Sequence, residues 1–98
     1  MANDLANNGQ TLVRPLPPIQ MLFSETSLRE AGYLGSDRSR KIIITRLNGS
    51  VRQIGVKSTE ELVERLHTDP TCLYFTHRFG KICREAVERV LRLYGVFI

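Results

Sequence analysis

Between residues 41 and 57 two β-branched runs, Ile42-Ile43-Ile44-Thr45 and Val51-Arg52-Gln53-Ile54-Gly55-Val56, flank an Asn48-Gly49 pair. Such runs around Asn-Gly predict a β-hairpin. A two-residue loop would scatter the apolar residues over both faces. A three-residue loop with Gly49 left-handed instead gathers Ile42, Ile44, Ile54 and Val56 on one face. The other face then shows Ile43, Thr45, Val51 and Gln53, half apolar, so something is expected to cover it too.

After the hairpin the period changes from two to 3.6. Ser58-Thr59-Glu60-Glu61 reads as a capping box, with Ser58 accepting from the Glu61 amide and the Glu61 carboxylate reaching back. Leu62, Val63 and Leu66 continue that helix, which must end before Pro70 because Asp69 is disfavoured in the α region. Cys72 to Thr76 predicts a short buried strand, and Phe79-Gly80 a turn. From about Ile82 to Tyr94 the apolar positions are Ile82, Cys83, Ala86, Val87, Val90, Leu91 and Tyr94. Glu and Arg alternate on the wet face in i,i+4 pairs. Gly95 suits a C′ stop, and Val96-Phe97-Ile98 is apolar enough to dock or join the sheet.

Upstream, residues 1–13 are rich in Asn, Gly and Ala without periodicity, and are expected to be disordered. Arg14-Pro15-Leu16-Pro17-Pro18 predicts an extended, polyproline-like stretch. Ser24 is a good N-cap for a short helix, with Phe23 stapled to Leu28 and Gly32 as its stop. Gly35 to Arg40 reads as a polar linker. The expected fold class is therefore α+β: a flexible N-terminal arm at 1–36, then a hairpin–helix–strand–helix domain at 37–98.

Strand, a turn containing Leu47-Asn48-Gly49, strand, then a capped helix resembles the ubiquitin-like β-grasp over residues 41–67. That resemblance implies a sheet with Ile42, Ile44, Ile54 and Val56 as its core face. Arg52 falls where an apolar residue would be expected, and a full helix at 82–94 is atypical of the fold. The chain ends Val96-Phe97-Ile98, without the terminal Gly-Gly that such modifiers use, so conjugation is not expected.

Charge sharpens the picture. The net +4 is carried by one stretch: residues 37–57 hold Arg38, Arg40, Lys41, Arg46, Arg52 and Lys57 against Asp37 alone, while 1–36 sum to −1 and 58–98 to zero. This is a local basic surface. Two cysteines are too few for a disulfide-stapled secreted fold. With no signal peptide and no apolar run of spanning length, a cytoplasmic or nuclear protein is expected, neither secreted nor membrane-bound.

The candidate chemistry is thin. His67, Cys72, His77 and Cys83 are of zinc-binding type, but no close pair preforms half a site. Cys83 lies near a helix start, which favours a thiolate, yet its place on the apolar stripe argues for packing. Glu61, Glu85 and Glu88 belong to helical pairs, not to an acid/base dyad. No phosphate loop, dinucleotide fingerprint or nucleophile elbow occurs, so neither an enzyme, a cofactor nor a small-molecule substrate is expected.

Two binding features are left. Arg14-Pro15-Leu16-Pro17-Pro18-Ile19-Gln20 resembles a class I SH3-domain ligand, with Gln20 where the second spaced proline would stand. The other is the basic hairpin, whose Arg38, Arg40, Lys41, Arg46, Arg52 and Lys57 suit a protein or nucleic-acid partner. No aromatic residue occurs in 34–72, so base stacking is not expected there. The leading expectation is a small non-enzymatic regulatory or adaptor protein working through protein contacts, including a homodimer. The alternative is a nucleic-acid-binding regulator using the basic hairpin.

Overall fold

The computed structural model describes residues 14–33, 35–76 and 78–98. They form five helices and, among the described residues, no strand: α1 (Ile19–Leu22), α2 (Glu25–Glu30), α3 (Asp37–Gln53), α4 (Thr59–Thr68) and α5 (Lys81–Arg92). The α+β expectation, the β-grasp resemblance and the hairpin all fail on this point. The disorder expected over 1–13 lies outside the described residues.

The hairpin segment is helix α3, and burial explains why. Arg40, Ile43, Leu47, Ser50 and Val51 are buried at spacings of three and four, with Ile54 half-buried beyond them. That stripe is the inward face of a helix, and the whole length of it meets the core. Mid-helix Gly49 costs about 1 kcal/mol and the β-branched residues a few tenths each, less than a buried Leu or Ile returns. The pairing expected of the hairpin dissolves accordingly. Ile42 points to solvent, Ile44 and Ile54 are half-buried, and only Val56 is fully covered. Ile43 and Val51, expected on a second sheet face, are 5% exposed within the chain's own core.

Both ends of α3 are specified locally. The Ser36 hydroxyl accepts from the Ser39 amide at 3.1 Å, so the expected linker is an N-cap. Gly55, assigned to a strand, is the C′ residue with φ +79°, and its amide donates to the Arg52 carbonyl. Arg65 of α4 then donates to the Ile54 carbonyl at 3.4 Å.

The other helices follow their signals. Ser24 caps α2 by accepting from Ser27 N at 3.1 Å, and Gly32 ends it at φ +91°. Ser58 caps α4 by accepting from Glu61 N at 3.0 Å, while the Glu61 carboxylate reaches back to the Lys57 amide at 2.8 Å. Helix α5 buries Cys83, Ala86, Val87, Val90 and Leu91, and it packs on both α2 and α3. Leu22, Phe23 and Leu28, from the segment expected to be an arm, are at most 1% exposed in the same core.

The expected strand at Cys72–Thr76 is a series of turns. Its anchor is polar: the Thr76 hydroxyl bonds the Ser50 hydroxyl and the Leu73 carbonyl oxygen, each at 2.6 Å. Thr76 and Ser50 are both buried, so this pairing satisfies groups that would otherwise be costly and pins the 73–79 turn to α3. Val96 to Ile98 belong to no sheet. No helix among the described residues is long and apolar enough to cross a membrane.

Candidate nucleic-acid interface

Pinning that turn against α3 creates a concave feature of the surface. Two adjoining hollows, of about 580 Å³ and about 850 Å³, share Ile42, Arg46 and Arg78. The first is bounded by α3 through Lys41, Thr45 and Gly49. The second runs between α3 and the start of α5, past Tyr33, Phe79, Lys81 and Ile82. Each is of a size usual for ligand clefts, and together they make one longer trough.

Its charge is one-sided. Lys41, Arg46, Arg78 and Lys81 line it, and no carboxylate does among the described residues. None of the four forms an ion pair with a described acidic residue. Four unneutralised cations in one concavity focus a positive potential. The N-terminal end of α5 adds to it: Gly80, Lys81, Ile82 and Cys83 line the trough, and the Gly80 N-cap brings no capping side chain.

Backbone geometry marks the same place. Arg78 has φ 59°, the single positive value among described non-glycine residues. A left-handed arginine costs about 1–2 kcal/mol, a strain that favours a constrained turn over a relaxed one. Gly49 and Gly80, both in the lining, would meet nothing within 4 Å if given a Cβ, so the backbone there is open to a ligand.

The basic residues singled out by the sequence divide into three groups. Lys41 and Arg46 are in the trough. Arg38 and Arg52 are exposed on the same outward side of α3 and lengthen its basic surface, and Lys57 is exposed beyond the helix end. Arg40 is not available: it is 7% exposed, bonds the Asp37 carboxylate and the Gly35 carbonyl, and lies 3.5 Å from Glu25 Oε2. Arg78, Lys81, Tyr33 and Phe79 escaped the sequence reading. The first two sit in a segment of zero net charge, none of whose six acids, three of them on α4 and two on α5, lines the trough. The N-cap pattern Phe79-Gly80-Lys81 was the one local signal that could have found them.

The proline-rich segment is laid along the domain. Arg14 pairs with Glu30 at 2.7 Å, Leu16 packs against the core, and the Thr59 hydroxyl donates to the Pro17 carbonyl. Pro15 and Pro18 are exposed. Engagement as an SH3-type ligand would therefore have to release Arg14 from Glu30.

No protein-family model, curated protein or solved structure matches this chain.

The remaining polar groups do not converge. Among the described residues no three of His, Cys, Asp and Glu come together to hold a metal ion, and His77 lies outside them. Burial, and then the nearby Asp69 carboxylate, push the Cys72 thiol up, which disfavours a thiolate there. Cys83 is 2% exposed on the inward face of α5.

Proposed function

We propose that the protein is a non-enzymatic nucleic-acid-binding module, with the trough between α3 and the start of α5 as its binding surface. One observation carries this reading: Lys41, Arg46, Arg78 and Lys81 converge on one concavity that no described carboxylate lines. Phosphate backbones are bound by such clusters through counterion release. Helix α5 supports the same reading by turning its positive end towards the trough. The test is binding of a labelled DNA oligonucleotide at about 50 mM salt, where electrostatic contacts are strong. Arg46→Ala is expected to weaken it, whereas absence of any binding at that salt would refute the reading.

The protein-contact reading keeps one supporting observation, the exposed apolar side chains Met21, Ile82 and Phe97. Its homodimer form has lost its motive, since Ile43 and Val51 are covered inside the chain. A monomer at every concentration tested, retaining no partner protein, would remove this second reading.

A further inference from the structure

The trough is lined by more than charge. Tyr33 and Phe79 form part of its wall, and Thr76, which also lines it, is preceded by Phe75. Phe75 is 87% exposed, the most exposed of the large apolar residues described. Its neighbours are all committed: Tyr74 stacks on Phe79 with ring centroids 6.0 Å apart and carries the Arg84 guanidinium over its face at 5.3 Å. Phe75 has no such partner. Its backbone is nonetheless held in place, because the next residue is anchored to Ser50 of α3 by the 2.6 Å hydroxyl pair. A wet phenyl ring one residue along the chain from the lining of a cationic trough does nothing for the core.

A duplex presents phosphates outward and hides the faces of its bases in the stack, so it would use the cations and leave the aromatic groups idle. A single strand offers both phosphates and free base faces, the pairing that cationic grooves with aromatic platforms exploit. Residues 34–72 hold no aromatic residue, so no base stacking is expected from that stretch alone. Folding brings Tyr33 and Phe79 into the trough wall from either side of that stretch, with Phe75 one residue from the lining Thr76. Building on the proposed nucleic-acid function, we infer that the trough holds a single strand, with an unpaired base stacked on Phe75 and the phosphates on Arg46, Arg78 and Lys81.

The experiment uses the full chain with a labelled deoxythymidine strand of about 12 nucleotides, within the range of known single-strand sites, and a duplex of the same length. The strand should bind more tightly than the duplex. Phe75→Ala should weaken strand binding by roughly fivefold to a hundredfold, as loss of one stacking platform does, with duplex binding and the salt dependence unchanged. The chain has no tryptophan, so Phe75→Trp provides a single reporter whose emission should be quenched by the strand. Duplex binding as tight as strand binding, or an unchanged strand affinity in Phe75→Ala, overturns the inference while leaving the nucleic-acid reading intact. Binding of polyglutamate in place of either nucleic acid overturns both, as does no binding of strand or duplex at low salt.

Discussion

Three arginines of α3 and the turn beside it show how differently the same side chain is used. Arg40 is buried against Asp37, Glu25 and the Gly35 carbonyl and joins α2 to α3. Both carboxylates retain solvent contact, which lowers the cost of exposing them. Arg40→Met is therefore expected to lose about 2 kcal/mol in urea unfolding, below the 3–5 kcal/mol of a fully buried pair, and to bind nucleic acid like wild type. Arg46 should behave oppositely, losing binding with little loss of stability. Arg78 adds a third case, because its cation and its strain are separable. In Arg78→Gly the relief of about 1–2 kcal/mol of left-handed strain outweighs about 0.5–1 kcal/mol of glycine entropy. Stability should hold or rise in thermal melts while affinity falls; a clear drop in melting temperature would contradict the assignment of strain. Cys72, with its thiol pushed up by burial and Asp69, should alkylate more slowly at neutral pH in the folded than in the unfolded protein. Equal rates would show that the thiol is not shielded.

At the scale of elements, the decisive segment is α3. Its local signals conflict, since Asn48-Gly49 and the β-branched run Ile42 to Thr45 favour a hairpin. The Ser36 cap, the Gly55 stop and the 43–47–51 stripe favour a helix. The stripe wins because it meets α5 and the rest of the core along its whole length, a long-range fact that no local pattern displays. Helices α2, α4 and α5 were legible because their end signals agree with their apolar positions: serine caps open α2 and α4, and Gly32 and Gly95 follow α2 and α5. The turns at 73–76 were not, because their order depends on Ser50, 26 residues earlier in the chain. Gly49→Ala separates the two descriptions. In a mid-helix site with nothing within 4 Å it should add about 0.5–1 kcal/mol of stability, whereas in a left-handed turn it would be destabilising. The anchor is testable as well. Thr76→Val leaves the buried Ser50 hydroxyl without its partner and should cost about 1–3 kcal/mol. Ser50→Ala leaves Thr76 its bond to Leu73 and should cost less.

For the molecule as a whole, charge is organised by folding as much as by sequence. Half of the candidate site was readable: the basic stretch 37–57 supplied Lys41 and Arg46. The other half was hidden, because Arg78 and Lys81 sit in a segment whose bases and acids cancel in number but not in space. Folding puts Glu60, Glu61 and Glu64 on α4 and keeps Glu85 and Glu88 of α5 out of the lining, so the described charges in the trough are all positive. The measurement that bears most directly on this account is the salt dependence of DNA-strand affinity for wild type, Arg46→Ala/Lys81→Ala and Arg40→Met. If the trough neutralises phosphates, the plot of log affinity against log salt should flatten by about 0.7 for each cation removed, and Arg40→Met should parallel wild type. A double variant with the wild-type slope would contradict the claim that these residues form the binding surface.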